Sequence, residues 1–275
     1  MDNTVVILGA GIGAMTMGFQ KAGCKVIAAY EKDEKAIELY RKNVDDRIFH
    51  CEDIGNINPE ILPDADIFAS SFLNASYFSR ANGRDMDCIA GIRAVISEKR
   101  PKIVCFVFPR QLIHKQLFAN FRKYITDFGY SYAYAGISTA KTTGLPIAET
   151  KIYFVASRST LPQKMEFPAG DFAFTYPIEE IYDEYTTDEW YYRVDYRQIQ
   201  EKSQEDTFLC WENGRYVEKE LADTNLFKLP LIRFKGSIRK ITHQEFPRLK
   251  GFPSEVRIET GNKAWLYKQL AYSPN

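Results

Sequence analysis

Gly9-Ala10-Gly11-Ile12-Gly13-Ala14, with Glu31 closing the next apolar run, is the group of residues whose types and spacing could do chemistry. Glycines let the main chain approach a ligand closely, and a helix that starts directly after them aims its free N–H groups at it. An acid at the end of the following strand can accept both hydroxyls of a ribose. The spacing Gly9-x-Gly11-x-x-Ala14, with Glu31 about 20 residues on, also satisfies the dinucleotide fingerprint. A nicotinamide or flavin oxidoreductase therefore stands beside other nucleoside-type cofactors at this point.

The other reactive residue types are scattered. The five cysteines, at positions 24, 51, 88, 105 and 210, form no Cys-x-x-Cys pair, which excludes a zinc framework and a disulfide scaffold and leaves reduced, mostly buried packing residues. Cys105 lies on an apolar run whose alternation permits either face, and a nucleophilic role would need an exposed thiolate with a base beside it. His50, His114 and His243 stand singly, without metal-ligand spacing. No metal site is expected.

These residues are positioned by an alternating series of strands and helices. Val5 to Leu8 reads as a strand, Met15 to Lys21 as a helix, Lys25 to Tyr30 as a strand and Glu34 to Asn43 as a helix. The series continues through strand Asp66 to Ala69, helix Cys88 to Glu98, strand Ile103 to Phe108 and helix Leu117 to Phe128. Tyr130 to Ile137 and Ile152 to Ala156 are two further apolar runs that could pair. The alternation predicts an α/β fold, a mostly parallel sheet covered on both faces, with ligands at the carboxyl ends of its strands.

The chain has 275 residues, enough for a deep core, and 36 basic against 36 acidic residues, so no overall positive excess makes nucleic-acid binding the default reading. The charge is segregated, however. Glu166 to Asp223 carries sixteen acids and five bases, together with clusters such as Asp188-Glu189-Trp190-Tyr191-Tyr192, and reads as a small irregular or β-rich module. It is either a solvated insert or a surface for a protein partner, since tyrosine and tryptophan are favoured interface anchors. No apolar run approaches membrane-spanning length and Met1-Asp2-Asn3 lacks a basic leader, so a cytoplasmic location is expected.

The longer string from Gly9 to Asn43, containing Gly18-Phe19-x-x-Ala22-Gly23, Glu31-x-Asp33 and Tyr40-x-x-Asn43, resembles the opening of the cytosine-C5 DNA methyltransferases. Further matches follow in the family's order: Glu52-Asp53-Ile54, Asp66-Ile67, Phe78-Ser79-Arg80-Ala81, Lys99-Arg100-Pro101-Lys102, Gly144-Leu145-Pro146 and Phe154-Val155-Ala156. Arg239 to Pro253 is similar to the family's R-x-LTxRExxRLQGFP, and Tyr267-Lys-Gln-Leu270 closes the series. The resemblance implies a Rossmann-like sheet that binds S-adenosylmethionine (SAM) or S-adenosylhomocysteine, formed by residues 1–160 plus 236–275. It also implies a small recognition-type domain inserted over 161–235. By position, Gly9 to Ala14 would follow the methionine part, Glu31 with Lys32 would serve the ribose, and Asp53 with Ile54 would border the adenine. Gly9 stands where the family has an aromatic, and Tyr272 where its tail has Asn.

The residues that would do the family's chemistry are missing. The family's cysteine adds to cytosine C6 so that C5 can attack the methyl group, but the corresponding loop places Ala75 or Asn74 at that position. Val107-Phe108-Pro109 stands for Glu-Asn-Val, whose Glu bonds cytosine N3, and Ile147, Glu149 and Lys151 stand for Gln-x-Arg-x-Arg. The pattern reads as a catalytically inactive relative that acts as a SAM-binding or DNA-binding subunit or regulator. DNA and an active methyltransferase or other protein, engaged through 166–223, are its expected partners. An active SAM-dependent enzyme that needs no covalent cysteine is the alternative, and Ser76 and Tyr77 in the altered loop could contact a nucleotide.

Overall fold

The computed structural model describes residues 3–50, 53–72, 85–138, 142–145, 147, 149–158, 166–170, 181–183, 186–200, 206–218, 228–259 and 261–274, with backbone only at 85–88. The chain divides into two compact units, one of Met1–Ile137, Lys151–Phe167 and Tyr272–Pro274, the other essentially Ser138–Thr150 and Pro168–Ala271. The division differs from the expected 1–160 plus 236–275 against 161–235, because most of the chain after 235 packs with the second unit.

The first unit is built from β1 (Thr4–Leu8), α1 (Ala14–Lys21), β2 (Lys25–Glu31), α2 (Glu34–Asn43), β3 (Ile48–His50) and β4 (Ile67–Ser71). α3 (Asp85–Lys99), β5 (Ile103–Pro109), α4 (Gln116–Asp127), β6 (Ser131–Ser138) and β7 (Thr150–Ser157) complete it. The strand order is β3-β2-β1-β4-β5-β7-β6, with β7 antiparallel to β5 and the pairs from β3 to β5 parallel. β1 shows why Val5 to Leu8 is apolar throughout. Val6 and Leu8 enter one core and Val5 and Ile7 the other, so alternation sends every second side chain to each covered face. α4 buries Phe118, Phe121 and Ile125, one face at helical spacing. The reversed β7 between β5 and β6 departs from the 3-2-1-4-5-6 order of dinucleotide-binding sheets and weighs against the oxidoreductase reading.

The second unit contains a five-stranded sheet of β8 (Ile199–Gln200), β9 (Thr207–Glu212), β10 (Arg215–Glu218), β11 (Leu231–Phe234) and β12 (Ser237–Lys240), in the order β12-β11-β9-β10-β8. β9 and β10 are joined through Asn213-Gly214, whose φ values of 47° and 88° give the left-handed two-residue turn that matches strand twist. Two helices follow, α5 (Glu245–Leu249) and α6 (Lys263–Tyr272).

Arg239 fixes the start of α5. Its guanidinium grips the Glu245 carboxylate through two bonds of 2.7 and 2.8 Å, and both side chains are shielded from solvent. Glu245 also accepts the amides of Thr242 at 2.7 Å and Asp183 at 2.8 Å, while Thr242 Oγ1 accepts the Glu245 amide at 3.1 Å. The Thr-x-x-Glu spacing thus forms a reciprocal cap with every charge satisfied. Glu245→Ala would leave a buried guanidinium unpaired, and a loss of about 3–5 kcal/mol from the second unit is expected in urea denaturation.

Candidate cofactor-binding site

The glycine loop leaves the carboxyl end of β1 and enters α1, with Gly9, Gly11 and Gly13 at φ of 72°, 54° and 101°. At two of these positions a side chain would both strain the backbone and displace a neighbour. A Cβ at Gly9 would lie 2.8 Å from Ile54 Cδ1, and one at Gly13 would lie 2.6 Å from Val44 Cγ2, whereas nothing lies within 4 Å of the same point at Gly11. The loop is therefore packed at both ends and open at its middle.

Glu31, at the end of β2, ties the loop to the adjoining strand. One carboxylate oxygen accepts the Gly11 amide at 2.8 Å, and the other accepts the amides of Lys32 and Asp33 at 2.9 and 3.0 Å. Asp33 then caps α2 by accepting the amides of Lys35 and Ala36. Lys32 Nζ reaches Asp53 Oδ2 at 3.0 Å, and Asp53 Oδ1 accepts the Gly55 amide at 3.0 Å. Partial burial pushes the Asp53 carboxyl upward, but the Gly55 and Lys32 bonds prevail and hold it below the usual carboxylate range. Ile54 opens a short 3-10 turn, Ile54–Asn56, and its buried side chain covers Gly9. All ten residues singled out in the sequence, Gly9, Ala10, Gly11, Ile12, Gly13, Ala14, Glu31, Lys32, Asp53 and Ile54, belong to the first unit. They occupy the β1 loop, the end of β2 and the turn after β3. A carboxylate at such a strand end, beside an open glycine backbone, suits paired hydroxyls and a polar chain laid along the loop.

The described residues that the sequence aligns with Glu-Asn-Val and Gln-x-Arg-x-Arg are engaged within the chain. Ala75, Asn74, Ser76 and Tyr77 lie outside the described residues. Val107 is buried, and Phe108 stacks on Phe72 with centroids 5.1 Å apart and planes 10° from parallel. The Phe72 amide donates to the Val107 carbonyl at 2.8 Å, closing the ends of β4 and β5 together. Phe106, Phe118, Phe121 and Phe154 extend the ring cluster. Ile147 is fully buried, Glu149 pairs with the buried Lys250 ammonium at 2.7 Å, and Lys151 Nζ donates to the Ser273 carbonyl at 3.0 Å. The sequence alone showed the change of sign at position 149 but not its partner. In the Arg239 to Pro253 segment Lys250 stands where the family's pattern has Gln, which was the signal available.

A scan of the chain against family models matches the C-5 cytosine-specific DNA methylase model over residues 4–273. The chain belongs to that family. Among its curated relatives, the type II methyltransferase M.Bsp6I of Bacillus sp. (strain RFL6) is 25% identical, over 98% of this chain and 93% of its own length. The type II methyltransferase M.NgoBI of Neisseria gonorrhoeae is also 25% identical, over 90% and 82%. The crystal structure of the S. pombe Dnmt2 methyltransferase superposes with a TM-score of 0.72 at 16% identity, over 99% of this chain and 94% of that one. The fold of this methyltransferase family is thus the Rossmann-like sheet anticipated from the sequence.

Burial pushes the Cys105 thiol up to about 12, so it stays protonated at neutral pH. Of Cys24, Cys105 and Cys210 only Cys210 is fully buried, a narrower result than the expectation of mostly buried cysteines. His243 is hydrogen-bonded to the Tyr191 hydroxyl and stacked on its ring, and His50 pairs with Glu34 at 2.7 Å on the surface. No group of three or more His, Cys, Asp or Glu among the described residues could hold a metal, and no described helix is long and apolar enough to cross a membrane.

Because Asp53 ionises at lower pH in the folded chain than in the unfolded one, its bonds stabilise the fold fully above about pH 4 and are lost as pH falls through the folded value. Asp53→Asn is expected to flatten that acid limb, as read by urea titrations at stepped pH. Gly13→Ala would force a side chain into Val44 at a left-handed backbone position, and a loss of about 1–3 kcal/mol is expected in the same titrations.

Proposed function

We propose that this member of the C-5 cytosine-specific DNA methylase family binds SAM or S-adenosylhomocysteine but does not methylate cytosine by the family's cysteine route. It serves as a noncatalytic cofactor-binding and DNA-binding subunit or regulator in DNA modification. The observation that carries this reading is the stack of Phe108 on Phe72 beside buried Val107. Where the family's pattern has Glu and Asn, this chain offers two apolar side chains that can neither hold a proton at cytosine N3 nor satisfy the base's polar edge. A flipped cytosine would lose its partner as well as its nucleophile.

The residues present fit the cofactor. The Gly11 backbone is open, Glu31 lies beside it, and Asp53 presents a carboxylate kept ionised at neutral pH. Glu31 would accept the ribose hydroxyls, Gly9 to Ala14 would lie along the amino-acid chain, and Asp53 with Ile54 would border the base, with Lys32 holding Asp53 in place. When bound, SAM supplies an electrophilic methyl group. The acidic, aromatic stretch 166–223 is proposed to receive a protein partner, with an active methyltransferase as the leading candidate.

One observation favours a second reading, an active methyltransferase whose acceptor needs no covalent cysteine. Ser71, the last residue of β4 and in register with Val107, has a buried hydroxyl with no hydrogen-bond partner among the described residues. A polar acceptor group would satisfy it.

Calorimetric titration with S-adenosylhomocysteine and transfer of a labelled methyl group from SAM to cytosine-containing duplex DNA test both readings. Binding is expected, and Glu31→Ala is expected to weaken it about tenfold to a hundredfold by removing a charge-assisted contact. No label is expected on cytosine, either from the native chain or from Ala75→Cys alone. Labelled 5-methylcytosine from either protein would overturn the noncatalytic reading, and label on another atom of the DNA would establish the second. A native chain that takes up no cofactor would end both.

A further inference from the structure

Ile54 is approached from two sides by glycines. On its side-chain flank its Cδ1 atom lies 2.8 Å from where a Cβ at Gly9 would stand. On its main-chain flank is α3. A Cβ at Gly91, within that helix, would stand 1.9 Å from the Ile54 carbonyl oxygen, 2.8 Å from its carbonyl carbon and 2.9 Å from Gly55 Cα. These last three atoms are backbone, so no rotamer change could relieve the overlap. The Ile54 carbonyl also accepts the Ile57 amide at 3.3 Å, and the Asp53 carbonyl accepts the Asn56 amide at 3.1 Å. Displacing Ile54 therefore disturbs the turn that presents Asp53, whose Oδ1 depends on the Gly55 amide.

From this geometry we infer that Gly91 is a positioning residue for the adenosine end of the cofactor site, acting by letting α3 close against the Ile54–Gly55 backbone. Glycine in the middle of a helix is unfavourable in itself, and Gly91 lies among the buried Ile89, Ile92, Val95 and Ile96, where a larger apolar residue would otherwise add to the core. The close approach accounts for its presence. Gly91 touches no ligand in this scheme. It sets where Asp53 and Ile54 stand, through a contact on the far side of the turn from the glycine loop.

The inference rests on the cofactor reading given above, and the experiment separates the two. S-adenosylhomocysteine and 5′-methylthioadenosine, which share adenosine but differ in the amino-acid part, are titrated into the native chain, Gly91→Ala and Ala94→Gly. Ala94 is an exposed residue of the same helix, so its replacement weakens α3 without touching Ile54. Gly91→Ala is expected to weaken both ligands by the same factor, tenfold or more, while Ala94→Gly lowers the melting temperature and leaves both affinities unchanged. Native-like binding by Gly91→Ala, or an equal loss in Ala94→Gly, would overturn the positioning role and leave the cofactor reading intact. A native chain that binds neither ligand would overturn both. If Gly91→Ala does not fold, hydrogen exchange on the native chain decides. S-adenosylhomocysteine is expected to slow exchange at residues 53–57 and in α3 around Gly91 together, and protection confined to 53–57 would sink the inference.

Discussion

The Glu31 carboxylate is the fixed point of the first unit's ligand edge. It gathers three backbone amides, from Gly11, Lys32 and Asp33, that would otherwise lack partners at the end of a strand. Through Gly11 it sets the loop between β1 and α1, through Asp33 it sets the cap of α2, and Lys32 next to it reaches across to Asp53. One side chain thereby coordinates the ends of β1 and β2 and the turn after β3. Hydrogen bonds of this kind, with an ionised acceptor and rigid donors, are among the stronger ones available to a partly exposed site.

The neighbouring strand ends, those of β4 and β5, are held largely by aromatic contact. Where the family's pattern has Glu and Asn, the ends of β4 and β5 are joined by the Phe72 amide on the Val107 carbonyl and by stacked rings. Rings in such contact add to the area term of burial, so the stack contributes stability at the ends of β4 and β5.

Much of the first unit was legible because its elements are long and strongly periodic. Helix Glu34–Asn43 has the observed bounds, since Asp33 caps it and apolar residues recur at Ala36, Ile37, Leu39 and Tyr40. β3 went unread because it has three residues, of which only Ile48 is buried. In the second unit the strands have two to six residues, too few to establish a period, although Asn213-Gly214 was a turn signal in plain view. The candidate site residues were chosen by type and order. Their couplings could not, because Lys32 with Asp53, and Gly91 against Ile54, are contacts between segments that only the folded sheet brings together.

The Glu149–Lys250 pair carries a consequence for substitution. A family pattern with Arg and Gln at these positions has here become an acid and a base, both largely withdrawn from water. Restoring arginine at 149 alone would set two cations against each other in the interior, and restoring glutamine at 250 alone would strand an acid. Either single change would cost stability, so the pair resists stepwise replacement. A chain with this pair can take arginine at 149 only through a less stable intermediate, so each partner holds the other's identity in place.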